Sequence, residues 1–157
     1  MFNRLTRLLE KAFTSSGDGD PASHHHALQL ATAALAVEIA RADGHLSTEE
    51  RETLTQDLRR RFELDDAESE VLLEAAHGEV EEAVSLHDFT RLLNEHLERR
   101  EKLEVLRLLW QVALADGVLD RYEEYTIRRL AELLHLSHAD FIRTKLSVQG
   151  PPPSRSD

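Results

Sequence analysis

One short acidic stretch occurs twice in this chain, and the recurrence restricts the fold more than any other feature. Ala42-Asp43-Gly44-His45-Leu46-Ser47-Thr48-Glu49-Glu50 returns as Ala115-Asp116-Gly117-Val118-Leu119-Asp120-Arg121-Tyr122-Glu123. Asp43, Gly44, Leu46 and Glu50 map onto Asp116, Gly117, Leu119 and Glu123 at a constant offset of 73 residues. Each copy follows an apolar, helical segment and precedes an amphipathic one. The expected chain is therefore all-α, a bundle built from two duplicated helix–acidic loop–helix hairpins.

The remaining sequence agrees with that class. No stretch alternates apolar and polar residues for long enough to demand a strand. Ala27 to Ala40 is the most apolar run, but it is short and carries Gln29, Thr32 and Glu38. That is a buried helix and not a membrane span. Further helices are expected from Ser47 as N-cap through Leu54, Leu58 and Phe62, from Asp65 or Asp66 to about Ala83, and around Phe89 and Leu93. Later ones run from about Arg99 to Ala115, from Asp120 to about His135, and from Ser137 through Phe141. Residues 1–13 form an amphipathic helix with Phe2, Leu5, Leu9 and Phe13 on one face, able to dock on the body, on a partner or on a membrane surface. Residues 14–23 have linker composition, 24–147 the helical domain, and 148–157 a disordered proline-containing tail. The expectation for 1–13 is a helix separable from the core.

Charge and composition bound the function. The net charge is −11, with 30 acidic residues against 19 basic ones. Nucleic acid is a poor partner for such a surface, since phosphate binding needs Lys and Arg. Nine acidic residues and no basic one fall between Glu63 and Glu82, a solvated helix face or a dock for a basic partner. The chain has no cysteine, which removes disulfides, thiolate zinc sites and cysteine nucleophiles, and is compatible with a cytoplasmic location. The 1–13 stretch lacks the unbroken apolar centre of a secretory leader. His24-His25-His26 is read as a solvated helix start, with weak transition-metal chelation as the other reading.

Each acidic loop matches the second half of an EF-hand. With Asp43 at loop position five, Gly44 is six, Ser47 nine and Glu50 twelve, and Asp116, Gly117, Asp120 and Glu123 take the same places. The first halves fail, because Ile39 and Arg41, or Val112 and Leu114, stand where ligands belong. A metal-free reading uses the same residues: Asp-Gly as a helix-ending turn, Ser47 with Glu50 as a capping box, and Asp120 as an N-cap with Glu123 at N3. Both readings stand at the level of sequence.

Ala-Asp-Gly-x-Leu followed by paired glutamates, twice, resembles the tellurite-resistance TerB family. Leu109-Trp110-Gln-Val-Ala-Leu-Ala-Asp-Gly, Tyr122-Glu123-Glu124 and His138-Ala-Asp-Phe141-Ile142 extend the likeness over roughly residues 25–146. The resemblance implies an all-helical bundle with acidic residues suspected of holding a divalent metal. It also implies links to bacterial stress and metal resistance and to membrane-associated assemblies, hence peripheral placement at the inner membrane. Carried over by position, the candidate ligands are Asp43 and Glu50 with Asp116, Asp120 and Glu123. Ser47 stands where the second copy has Asp120, so the first half-site is weaker. All the donors are oxygens, which favours calcium, magnesium or manganese over zinc.

The expected function is a non-enzymatic binding or adaptor module with protein partners, no nucleic acid and no organic cofactor. Its alternative is a metal-free structural adaptor. A metal-assisted hydrolase using the paired carboxylates and His45 is the third reading. No activated nucleophile or phosphate-binding loop supports that one. Two half-loops, each too poor in ligands to bind alone, are expected to meet and form one acidic site.

Overall fold

The computed structural model describes residues 4–15, 21–42, 47–77, 86–115 and 121–149. Among the described residues there are eight α-helices and no strand: α1 (Arg4–Ser15), α2 (Pro21–Ala42), α3 (Thr48–Phe62), α4 (Asp66–His77), α5 (Leu86–His96), α6 (Arg99–Ala113), α7 (Arg121–Leu133) and α8 (His138–Gln149). The bundle is all-α, as the 3.6-residue periodicity requires.

The axis of the bundle is α2. Every residue from Leu30 to Ala40 is buried, and five of those eleven are alanines. A helix apolar on all sides can only sit inside, and its small side chains let α1, α3, α4, α5 and α6 pack around it. The second internal helix is α6, which carries the largest buried side chain. The Trp110 indole tilts against Phe141 at 5.3 Å, and its N–H donates to Thr144 Oγ1 on α8 at 3.2 Å. A buried indole N–H without a partner would cost free energy, so this bond fixes how α8 lies on α6.

The helices following α3 and α7 are reached through the same kind of turn. Glu63 (φ 50°) and His135 (φ 63°) both adopt the left-handed conformation without being glycine. Leu64 N–H then reaches back to Arg59 O at 3.0 Å, and Leu136 N–H to Ala131 O at 2.9 Å. This six-to-one bond satisfies a carbonyl the helix end would otherwise leave unpaired. Leu64 and Leu136 are both buried beside the turn. Next comes a capping box in each case. Asp65 and Glu68 exchange bonds of 2.8 and 3.0 Å, and Ser137 and Asp140 exchange two of 3.1 Å. Position for position, this turn repeats at 72 residues, one fewer than the loops before it.

Asp140 is buried and also meets Arg99 on α6 at 2.5 Å. The backbone hydrogen bond from Ser137 is the largest influence holding its carboxyl below the usual Asp range, against the opposing push of burial. The Ser137 hydroxyl and the Arg99 charge add to the same side.

Several boundaries differ from the sequence reading. Thr14 and Ser15 belong to α1, and α2 starts at Pro21, both inside the 14–23 stretch read as linker. Proline suits a first helical turn, where its missing N–H is one that would be unpaired anyway. More consequentially, Leu5, Leu9 and Phe13 are part of the common core, with α1 lying on α2, α4 and α5. The amphipathic face of α1 docks on the body, the first of the three seats expected for it. The histidine triplet is a second difference. His24 pairs with Glu101 on α6, and His26 meets Glu68 on α4 at 2.9 Å. These contacts tie the start of α2 to two other helices, so that start is not merely solvated.

Candidate functional site

Four helices leave a cavity of about 540 Å³ between them. The innermost part comes from α2 and α6. Ala36, Ile39 and Ala40 face it from α2, and Leu109, Val112 and Ala113 from α6. Both sets follow the i, i+3, i+4 spacing that puts side chains on one helical face. The walls come from α3 and α7. Glu50, Thr53, Leu54 and Asp57 form one stripe of α3, and Glu123 with Ile127 stands on α7. Ser47, Glu49 and Ala115 complete the described lining.

The lining is paired across the two copies. Ala36, Ile39, Ala40, Glu50 and Leu54 each have a counterpart 73 residues later, Leu109, Val112, Ala113, Glu123 and Ile127, and all ten border the same space. Of the five candidate ligands, then, Glu50 and Glu123 are brought to one cavity. Asp43, Asp116 and Asp120 lie outside the described residues, as does His45. Among the described residues no group of three or more His, Asp or Glu side chains is arranged to hold a metal ion.

Glu50 has a structural task as well. Ser47 Oγ accepts from Glu50 N–H at 3.1 Å, while Glu50 Oε1 accepts from Ser47 N–H at 3.0 Å. The capping box expected for this loop is formed, and its donor uses one of the two carboxylate oxygens. Capping and ion binding are therefore compatible at Glu50, because a carboxylate has acceptor capacity beyond a single bond. The chemistry of the set suits a hard cation: every candidate donor is a carboxylate oxygen.

Sequence reasoning missed Glu49 and Asp57 at the cavity. Asp57 falls one helical turn beyond Leu54 on the stripe headed by Glu50, so the i, i+3, i+4, i+7 pattern could have found it. With Glu49, Glu50 and Glu123 it makes four acidic side chains on one cavity whose inner surface is aliphatic.

Fold and site together define a small all-helical module with an acid-lined cleft between α2, α3, α6 and α7. The family model for the tellurite resistance protein TerB matches residues 29–146, and the chain belongs to that family. Neither the curated proteins nor the solved structures contain a match to it. No helix among the described residues is long and apolar enough to cross a membrane.

Proposed function

We propose that this TerB-family domain is a non-enzymatic binding module whose working surface is the cleft, with a divalent cation held at its mouth by the two acidic loops. The observation that carries the reading is the placement of Glu50 and Glu123, equivalent residues of the two copies, on one cavity. Asp43, Asp116 and Asp120 are the other candidate donors, adjoining that cavity in sequence through Ser47 and Ala115. Bringing such carboxylates together costs roughly 1 kcal/mol or more per close pair near a surface. A bound cation removes that cost, so calcium, magnesium or manganese would stabilise the fold. The biological setting that fits the family is metal or metalloid resistance and stress, with protein partners that include membrane-associated ones and a cytoplasmic site of action.

Thermal unfolding with and without each cation tests this. An ion at a hundred times its Kd would add about 2.7 kcal/mol of stability. The unfolding midpoint should rise in the full chain and hardly move in Asp116→Ala. A rise of equal size in both proteins, or none in either, would overturn the shared ion site. The Ser47–Glu50 box favours a second reading, in which the acidic residues cap helices and the module binds partners without metal. Full partner binding in chelator would select that one.

A further inference from the structure

An ion coordinated at 2.0–2.6 Å occupies a small part of a 540 Å³ cavity. The inner surface is the informative remainder. Isoleucine, leucine, valine and alanine from α2 and α6 line it, and Leu54 and Ile127 continue it up the walls. Aliphatic surface of this kind gains nothing from a hydrated cation and gains about 25 cal/mol for each Å² taken from water by an apolar group. Above it stand Glu49, Glu50, Asp57 and Glu123, and none of the described lining residues is Lys or Arg. The cleft thus asks for a ligand that is apolar where it enters and positively charged where it leaves.

We propose that the cleft receives a basic amphipathic segment of a partner protein, with an aliphatic stripe laid between α3 and α7 and Lys or Arg residues against the acidic rim. This rests on reading the cleft as the module's working surface, and not on the ion. A cavity with aliphatic residues on its inner helices and carboxylates on its flanking ones carries the two features that the helix-in-groove mode of recognition uses. The net charge of −11 would draw such a segment in before contact. The chain's own basic amphipathic helix cannot serve, because Leu5, Leu9 and Phe13 of α1 are already buried in the core.

The test uses the full chain and a fluorescent probe peptide about three helical turns long, with leucines spaced to share one face and lysines elsewhere. A control peptide has the same composition with the leucines scattered around the helix. The amphipathic probe should bind roughly tenfold or more tightly than the control. Ala113→Trp fills the cleft without changing charge and should remove that preference, as should Leu54→Gln if the tryptophan variant unfolds. Glu50→Gln with Glu123→Gln should weaken the probe while leaving the leucine-face preference in place. Equal affinity for the two peptides, or unchanged preference in Ala113→Trp and Leu54→Gln, would overturn the proposal and leave only charge attraction. Running the titrations in calcium and in chelator separates the two ideas. Selective binding in chelator, with no ion binding, would leave the groove standing and the ion site fallen. Ion binding without peptide selectivity would do the reverse.

Discussion

The two halves of the bundle agree where they face each other and diverge where they do not. On the cavity side, Glu50 and Leu54 are answered by Glu123 and Ile127, and the α2 stripe by the α6 stripe. One turn around the same helices the correspondence is lost. Val37 of α2 stands where α6 has Trp110. The cause is position. α2 is enclosed by five helices and must be slim, whereas α6 has room on one flank for an indole that locks α8 in place. Asp57 is the exception within the walls: it faces the cavity, but the residue 73 positions later, Leu130, is fully buried in the core. The halves share a face, while each back is fitted to its own neighbours.

The comparison can be broken most forcefully at α1, which packs on α2 and α4 of the first half. Removing residues 1–15 discards the burial of Leu5, Leu9 and Phe13, at roughly 1.5–3 kcal/mol for each side chain. That is comparable with the whole stability of a small domain. Urea unfolding should show the cooperative transition lost or moved to far lower urea. A midpoint like that of the full chain would mean that the first half stands without α1.

Next come the unlike pair at the backs of the two internal helices. Trp110→Ala should cost about 3–5 kcal/mol, and Val37→Ala no more than about 2 kcal/mol. Equal urea midpoints for the two variants would refute the claim that α6 carries the larger packing load.

The capping boxes give a finer contrast. Asp140→Ala removes a buried, Arg99-paired carboxylate and should cost about 2 kcal/mol. Ser47→Ala, at an exposed box, should cost about 1 kcal/mol. Because the folded pKa of Asp140 is depressed, its contribution is complete above the ordinary Asp value near 3.8 and disappears as pH falls through the lower folded value. The midpoint difference between the wild type and Asp140→Ala should therefore narrow only in strong acid. A gap that closes between pH 5 and 7 would point to a different group.

The smallest effect is expected where the halves agree best. Without metal, Glu50→Gln and Glu123→Gln should each change stability by about 0.5 kcal/mol or less, since glutamine can also serve in a capping box. With calcium, both should reduce the thermal shift. A reduction in only one of them would assign the ion to a single loop.

Much of this architecture was legible in the residues. Apolar periodicity placed the helices, and the 73-residue offset paired Glu50 with Glu123, which border one cavity. What stayed hidden depended on distant partners. Nothing near His24 or His26 announces Glu101 or Glu68, and an amphipathic helix does not name its seat until its face is seen covered. The turn at Glu63 and His135 was missed because it has no glycine to mark it, and because its register had slipped by one residue from the repeat that was noticed.

One property follows from building the cavity out of four helices, two from each half. Among the described residues, neither half carries the whole lining, so a nascent or proteolysed half presents only part of the cavity. Occupancy works as a logical conjunction, reporting that both halves are folded and correctly mated. Whatever engages the cleft thereby inspects the quality of the whole domain, and by mass action it favours the intact form over every partly opened one.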